Sequence, residues 1–303
     1  DKNAAENYAA IVFNNDGTTS CAGTTIVMDG GSIIAKDENG NPSTAVSNSA
    51  VVNFVEYVNY SVNNATTIVG EIKTPVAIVT YEGQNAFYSC YTFQDAIDEA
   101  IETKGSVKLL TNVASSEIIT INGEVKIDGN NKTLTSTATR AINVDYKGKV
   151  TICNLTIATT NKTERAINVI QKAAELTLNN VTAEGFKYTI FVAGSSVGST
   201  ITTNGGKFSG YAAVNITGSG TTFNSNGTEL IGINNAQLHE SNNYAVIAVN
   251  TVPTENVNVN INGGKVIAQT NVNRQFIATV RYAENANITI DAELVLANGD
   301  VLN

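Results

Sequence analysis

Hydrophobic and polar residues alternate along this chain in short runs, and the same run occurs at more than one place. The sequence RAINV stands at 140–144 and again at 165–169, and each copy leads into further alternating segments. Alternation with a period of two is typical of β-strands that bury one face. Self-similarity at a spacing of about 20–50 residues is typical of repeat architectures. The pattern therefore predicts short strands that recur at a similar spacing along the chain.

The content of each repeat favours a parallel β-helix over other repeat folds. A repeat holds about three short alternating segments and no amphipathic helix, whereas leucine-rich repeats need LxxLxL spacing and propeller blades need antiparallel strands. In a parallel β-helix every turn of chain pairs with the turns above and below it, so equivalent residues stack. We therefore predict that Ile142 lies against Ile167 and that Val144 lies against Val169.

A turn phrase recurs between the strands, consisting of an apolar residue, then Asn or Asp, then Gly or Asn. A corner between two sheets needs a residue that tolerates positive φ, and Gly, Asn and Asp do so most readily. The phrase predicts a stacked column at one corner of the fold, in which amide oxygens satisfy backbone donors; a metal site is the alternative interpretation of so many oxygen ligands. The members of this corner column are Asp128, Cys153, Asn179, Asn204 and Asn262.

One segment has helical periodicity, and we predict a short amphipathic helix near residues 92–103. Its apolar residues recur at i, i+3, i+4, i+7 and i+8. Thr92 and Asp95 resemble a capping box, and Gly105 is the predicted end of the helix. A repeat fold leaves unpaired strand edges and bare core at its end, so we expect this helix to cover that end. The predicted apolar face comprises Phe93, Ala96, Ile97, Ala100 and Ile101.

The stretch YTFQDAIDEAIETKGSVKLLTNVASSEIITINGEVKIDGNNKTLTS resembles the opening of pectin-lyase-like right-handed parallel β-helix domains of bacterial surface or adhesin-like proteins. In those domains a helix with a similar "tFqdAIdeA" phrase precedes the first coil. The resemblance covers about residues 76–303 at the level of architecture. It implies an all-β, right-handed, single-stranded parallel β-helix with one capping helix, located outside the cell or on the surface of a bacterium.

Internal similarity predicts two modules in the chain. The segment Tyr8–Ala35 aligns with Tyr244–Ala268, and a following segment aligns with a stretch near residue 275. We therefore expect residues 1–74 to be the tail of a preceding β-helix module and residues 75–303 to be a complete module, with Pro75 at the boundary. The natural protein is expected to contain tandem modules of this kind. The sequence leaves open whether residues 1–74 stack on the second module.

The charge balance excludes several classes of partner. Only 15 % of residues are charged and the formal net charge is −9, which argues against nucleic acid and anionic membranes as partners because their phosphates require clustered Lys and Arg. No stretch approaches the roughly 20 apolar residues of a membrane span, so no membrane insertion is expected. Cys21, Cys90 and Cys153 follow no metal-binding spacing, and we interpret them as small buried residues.

Catalytic residues are not evident in the sequence. Enzymes of the superfamily that this chain resembles cleave acidic polysaccharides with clustered carboxylates on adjacent coils. Here Asp128 and Asp145 are the only Asp residues between positions 112 and 204, and Glu164, Glu175 and Glu184 fall in links. The sole histidine, His239, stands in the loop-like stretch NNAQLHESNN without an evident His-acid-Ser catalytic constellation, and Asp37–Pro42 lacks the distal Glu of a calcium loop. We therefore expect no catalytic residues, no metal and no cofactor.

A binding surface is the more plausible functional feature. Arg140, Arg165 and Tyr188 each stand immediately before a predicted inward strand, so we expect them to line up along one edge. Tyr8, Tyr211 and Tyr244 are near the same place, but two of them are shifted by one residue, which turns a side chain to the opposite face. Rings and guanidinium groups offer flat faces and donors to a sugar chain. The alternative to a binding role is that these side chains only cover the edges of the coils, with cations stacked on rings.

These features together predict a non-catalytic extracellular β-helix module of a bacterial surface protein, acting as a rigid stalk or adhesin. Its expected partners are glycans or host surface components, besides tandem modules of the same protein. The alternative is a polysaccharide lyase or glycoside hydrolase that acts on acidic glycans, since fold alone is weak evidence about chemistry. A phage or viral tail-fibre segment is a third interpretation, which trimeric assembly would favour.

Overall fold

The chain is almost entirely β-structure. The computed structural model describes residues 9–13, 21, 23–36, 39–41, 50–54, 58–82, 87–159, 165–233, 245–250, 255–269, 278–281, 285–296 and 300–302. Within these residues there is one α-helix and a large sheet of predominantly parallel strands. The all-β class and the single helix predicted from the sequence are therefore confirmed.

Residues before Pro75 form seven short strands that pair only with one another within the described part of the chain. They make a three-stranded sheet of β1, β4 and β7 and two strand pairs, β2 with β5 and β3 with β6, all of them parallel. Their bounds are β1 Ala9–Phe13, β2 Thr25–Met28, β3 Gly31–Ile34, β4 Ala50–Phe54, β5 Asn59–Val62, β6 Thr66–Val69 and β7 Glu71–Lys73.

The remaining strands belong to one large sheet. The strands of the sheet are β8 Ala77–Thr80, β9 Phe87–Cys90, β10 Ser106–Leu109, β11 Val113–Ser115, β12 Ile119–Ile121, β13 Val125–Ser136, β14 Arg140–Val144, β15 Lys149–Thr159, β16 Arg165–Val169, β17 Glu175–Asn179, β18 Thr182–Val192, β19 Thr200–Asn204, β20 Lys207–Ile216, β21 Thr222–Asn226, β22 Glu229–Ile233, β23 Ala245–Val249, β24 Val257–Gln269, β25 Ala278–Arg281, β26 Ala286–Val295 and β27 Val301–Leu302. Helix α1 spans Phe93–Thr103 and lies between β9 and β10 in the chain.

Three series of parallel pairings, which we call ladders 1, 2 and 3, run through this sheet. Each strand pairs with the equivalent strand of the next repeat. The repeat length varies: at three hydrogen-bonded Asn pairs of ladder 2, the two residues are 25, 22 and 36 positions apart in the chain. Ladder 1 aligns Ile119, Ile142, Ile167, Ile190, Val214, Ile247 and Val280. Ladder 2 aligns Val107, Ile127, Ile152, Leu178, Thr203, Ser225, Ile261 and Ile290. Ladder 3 aligns Val113, Leu134, Ile157, Ala183, Phe208, Leu230, Val266 and Leu294.

The two RAINV copies are neighbours in ladder 1. Ile142 pairs with Ile167 and Val144 pairs with Val169, in parallel and without a shift of register. All four side chains are fully buried. The stacking predicted from the repeated phrase is therefore confirmed.

The core between the ladders is apolar with a small polar insertion. Thr203 and Ser225 occupy two successive core positions of ladder 2, and both are fully buried. The Thr228 hydroxyl lies 2.9 Å from the Thr203 hydroxyl, so this buried polar group has a hydrogen-bond partner. The apolar pattern is interrupted here without a break in the parallel pairing.

Helix α1 spans Phe93–Thr103, as the periodicity predicts, and lies against the first strands of the ladders. Thr92 is the N-cap, and its side chain accepts a hydrogen bond of 3.1 Å from the Asp95 backbone N–H. The prediction that Gly105 ends the helix is wrong in detail, because Lys104 adopts the left-handed conformation with φ 55°. Gly105 is needed for another reason: a Cβ there would lie 2.7 Å from the Thr80 carbonyl oxygen.

Two hydrophobic clusters lie on either side of residue 75. The smaller one contains Met28, Val52, Phe54 and Val58, and the larger one begins at Ala77 and continues through the ladders. A contact between the two parts is made by Tyr91, whose hydroxyl hydrogen-bonds the Asn53 side-chain oxygen and lies 3.1 Å from the Phe54 carbonyl oxygen. The division into two modules stays a prediction.

Candidate functional site

The predicted edge residues Arg140, Arg165 and Tyr188, here called the Arg/Tyr column, stand at the starts of adjacent strand segments in ladder 1. Arg140 pairs in register with Arg165, and Arg165 pairs with Tyr188. The next position is Ala212, which places Tyr211 one residue out of register, as predicted. Tyr8 and Tyr244 lie outside the described residues. The alignment of the column is therefore confirmed, whereas its role in binding stays a prediction.

Around Arg165 and Tyr188, side chains form a stack of cations and rings. The guanidinium carbon of Arg165 lies 3.7 Å from the centroid of the Phe191 ring. The Tyr188 and Phe191 rings lie 5.5 Å apart at 42°, and the Lys187 ammonium lies 5.4 Å from the Tyr188 ring centroid. Cations within about 6 Å of a ring centroid are attracted by the negative ring face. The arrangement thus contains the stacked packing considered as the alternative to binding, with Phe191 as the ring under Arg165.

Phe191 belongs to an outer row beside the column, made of Asn143, Asn168, Phe191 and Asn215 at equivalent positions. Arg165 Nη1 donates to Asn168 Oδ1 at 2.9 Å, and Asn168 Nδ2 donates to Asn143 Oδ1 at 2.8 Å. Asn168 is fully buried and both hydrogen bonds are partly buried, so Asn168 helps to orient the guanidinium group. The row and the column together give a half-buried surface of fixed donors and ring faces.

The row was not identified from the sequence because Phe191 stands in the continuous apolar run Ile190-Phe191-Val192. A continuous run hides which residue faces outward. The strand register does identify the row. Once Ile190 is aligned with Ile167, Phe191 pairs with Asn168, on the side of the strand opposite to the inward Ile residues.

The corner column predicted from the turn phrase is also confirmed in register. Its residues pair in the order Asp128, Cys153, Asn179, Asn204, Asn226, Asn262 and Asp291, with Asn226 and Asp291 as members that the phrase missed. The amides bond mainly to each other: Asn204 Nδ2 donates to Asn179 Oδ1 at 2.7 Å, and Asn226 Nδ2 donates to Asn204 Oδ1 at 2.8 Å. These hydrogen bonds between side chains take the place of the bonds from backbone donors that the turn phrase predicts for the column.

The positive φ angles fall one residue after the corner column. Asn154, Asn180 and Gly205 have φ of 51°, 52° and 66°, as the turn phrase predicts for an Asn or Gly in that position. The first corner differs, because Asn130 and Asn131 take the positive φ and Gly129 does not. A Cβ at Gly129 would lie 2.6 Å from the Asn154 carbonyl oxygen, so the glycine is there for close backbone approach.

The acidic residues considered for catalysis are engaged in local contacts or lie apart. Asp128 Oδ1 accepts from the Asn130 backbone N–H at 2.9 Å and from Asn154 Nδ2 at 3.2 Å. Asp145 Oδ1 accepts from Gln171 Nε2 at 3.4 Å, and Glu175 pairs in register with Lys149. Glu164, His239 and Asp37 lie outside the described residues. In the described part of the chain, His, Cys, Asp and Glu form no group of three or more that could hold a metal ion.

The three cysteines differ in burial. Cys90 is buried, and Cys21 and Cys153 are half-buried. Cys153 Sγ accepts a hydrogen bond of 3.4 Å from Asn179 Nδ2, so this thiol takes the place of an amide in the corner column.

Comparison with protein-family models, with curated proteins and with solved structures found no match to this chain. The described part of the chain contains no helix with the length and apolar composition that a membrane crossing requires.

Proposed function

We propose that this chain is a non-catalytic extracellular module of a bacterial surface protein, a right-handed parallel β-helix of the pectin-lyase-like kind. It acts as a rigid stalk or adhesin and holds the Arg/Tyr column toward glycans of a host or neighbouring surface. The parallel pairing of three ladders with a common repeat supports the winding. The resemblance of the segment around α1 supports the family and the extracellular setting.

One observation carries the binding proposal: Arg165 is held on the Phe191 ring beside Tyr188, in register with Arg140 one repeat away. Aromatic faces pack against the flat faces of sugar rings, and a guanidinium group donates up to five hydrogen bonds to hydroxyl or carboxylate oxygens. Because the guanidinium is already oriented by Asn168, little side-chain entropy is lost on binding. The spacing of about 4.8 Å between adjacent strands places successive groups along one extended chain.

The rigidity of the proposed stalk follows from the pairing pattern. Each strand segment inside a ladder, apart from those at its two ends, has a hydrogen-bonded neighbour on both sides, and core side chains pack on their equivalents in the adjacent repeats. Bending such a stack requires the loss of several backbone hydrogen bonds at once. A repeat fold of this kind can therefore hold a binding edge at a fixed distance from its point of attachment.

A glycan array with the purified chain tests the binding role. We expect one class of glycan to bind, with weaker binding for Arg165→Gln and for Tyr188→Ala. Lys172→Gln is the matched control, because Lys172 is exposed and lies outside the column. Binding that is unchanged in both column variants would reject the column as the site.

An activity assay separates this proposal from the enzymatic alternative. We expect no turnover from a panel of neutral and acidic polysaccharides. A lyase would release unsaturated products that absorb ultraviolet light and would lose activity in chelator, and a hydrolase would release reducing ends. Turnover that survives further purification of the chain would overturn the non-catalytic proposal.

A further inference from the structure

A second surface, separate from the Arg/Tyr column, has the shape and charge of a ligand site. It is a cleft of about 830 Å³ beside the C-terminal end of α1, between the end of β8 and the turns that precede β13 and β15. Cavities of roughly 300–1,000 Å³ are of the size that holds small ligands. We call this surface the lysine cleft.

The cleft collects positive charge on a chain whose net charge is −9. Lys104, Lys126 and Lys149 line it, against the two carboxylates of Glu82 and Glu124. All three lysines are exposed, and their ammonium groups make no ion pair or hydrogen bond with another described residue. Charges of one sign that are gathered in a concave surface raise the local concentration of opposite ions.

The floor of the cleft is fixed by close packing. A Cβ at Gly123 would lie 2.3 Å from Ile101 Cγ2, and a Cβ at Gly148 would lie 2.8 Å from Tyr146 Cε1. The two glycines therefore allow Ile101 and the Tyr146 ring to lie directly on the backbone. Both side chains also pack against the main hydrophobic core, so the floor is held in place before any ligand binds.

Tyr81 forms one wall and is anchored to the helix. Its hydroxyl donates to Glu99 Oε1 at 3.2 Å. Burial, with the Glu99 carboxylate as a second cause, raises the pKa of the Tyr81 hydroxyl to about 12. Tyr81 is therefore neutral across the physiological range, and its ring contributes a wall without negative charge.

We propose that the lysine cleft binds an anionic oligosaccharide, with its sulfate or carboxylate groups on Lys126 and Lys149 and a sugar ring on the Tyr146 ring. Lysine ammonium groups act as point charges for such oxyanions. The hydroxyls of Thr80, Ser106 and Thr151 line the same cleft and suit sugar hydroxyls. These hydroxyls and the flat ring favour a saccharide over an acidic peptide. The site is independent of the Arg/Tyr column.

Titration of the whole chain with defined probes at low ionic strength tests this site. The probes are a sulfated tetrasaccharide, the same backbone without sulfate but with its carboxylates, a neutral carboxyl-reduced form, and an acidic peptide of equal charge. We expect the first two to bind and the neutral form not to bind. The double variant Lys126→Gln/Lys149→Gln should weaken binding about fivefold, the middle of the range for the loss of two exposed charge contacts. Tyr146→Ala should weaken it further.

The control Lys108→Gln/Lys172→Gln removes the same charge from exposed positions outside the cleft and should change binding by less than about twofold. An equal loss in this control would show a net-charge effect and overturn the site. The proposal is also overturned if the neutral form or the peptide binds as tightly as the sulfated probe, or if neither charged tetrasaccharide binds. Binding that persists in Arg165→Gln/Tyr188→Ala distinguishes the cleft from the column; binding lost only in that variant assigns the ligand to the column and overturns the cleft.

Discussion

At the scale of single residues, the candidate site is stabilised by one cation on one ring. The Arg165 guanidinium stacks on Phe191 while its Nη1 bonds to Asn168, which is fully buried. Stacking of this kind contributes about 0.5–1 kcal/mol at exposed sites and about 2 kcal/mol when desolvated. The same contacts that would orient Arg165 for a ligand therefore also stabilise the fold.

A double-mutant cycle measures this contact. We expect Phe191→Leu and Arg165→Met to be coupled by about 0.5–1 kcal/mol in urea unfolding, because either change alone removes the cation–ring pair. Leu and Met keep much of the buried volume, so the coupling reports the pair itself. Additive effects of the two substitutions would show that the stack contributes nothing to stability.

Two adjacent corner glycines offer a matched test of backbone crowding. Gly205 and Gly206 both have positive φ, of 66° and 79°, but only Gly206 is crowded: its Cβ would lie 2.1 Å from the Val181 carbonyl oxygen. We expect Gly205→Ala to cost about 1–2 kcal/mol for the left-handed conformation. Gly206→Ala should cost about 1–3 kcal/mol more because the chain must move. Equal melting temperatures of the two variants would contradict this view of the corner.

Residues that belong to a repeated phrase could be aligned from the sequence, whereas residues in a copy with one altered member could not. The RAINV copies and most of the corner column could be aligned because an apolar residue marks the inward position. Asn226 was missed because Ser225 stands where most copies of the phrase have an apolar residue, and Ser225 is nevertheless buried in the core. Burial of a small polar residue depends on the partners in adjacent repeats, which a local pattern does not contain.

At the scale of elements, helix α1 protects a strand edge through one side chain. Gln94 Oε1 accepts from the Thr120 backbone N–H at 2.8 Å, and Gln94 Nε2 donates to the Thr120 carbonyl oxygen at 2.9 Å. The amide thereby takes the place of a neighbouring strand for β12, the first strand of ladder 1. An unpaired edge of this type would otherwise be open to pairing with another chain.

We expect Gln94→Met to expose this edge. The substitution keeps the length of the side chain but leaves the N–H and C=O of Thr120 without their partner, which costs about 1–3 kcal/mol where the groups are shielded from water. Hydrogen exchange at the Thr120 amide should become faster, and the chain should aggregate more readily on mild heating. Asp98→Ala is the control, because Asp98 contacts Gln94 at 3.0 Å without touching Thr120. Unchanged exchange in Gln94→Met would show that the amide does not protect the edge.

The helix bounds could be predicted from the sequence, but its immediate surroundings could not. The apolar periodicity and Thr92 mark the helix itself. Strands β8 and β9 pair antiparallel, and β8 also pairs antiparallel with β10 beside the helix. Neither strand belongs to a repeat, so no second copy in the sequence revealed its partner. The lysine cleft lies where this irregular end meets the first repeats, and it escaped sequence reasoning for the same reason.

At the scale of the whole molecule, all of the proposed roles depend on the distance between equivalent residues. The Arg/Tyr column is a continuous edge only if one repeat advances the chain by about 4.8 Å, the distance between neighbouring strands. Arg140 and Arg165 are then within the range of about 4.4–6.8 Å between Cα atoms that a disulfide spans, whereas Arg140 and Tyr188, two repeats apart, are not.

Paired cysteines test this advance directly. Arg140→Cys/Arg165→Cys should form an intramolecular disulfide on mild oxidation, and Arg140→Cys/Tyr188→Cys should not, because its two positions are about 9–10 Å apart. Peptide mass mapping separates the new bond from bonds to the native cysteines Cys21, Cys90 and Cys153. Cross-linking of both pairs to the same extent would mean that the edge is mobile or compressed, and neither a rigid stalk nor an ordered column could then be maintained. Selective cross-linking of the first pair fixes the spacing that a bound glycan would have to match.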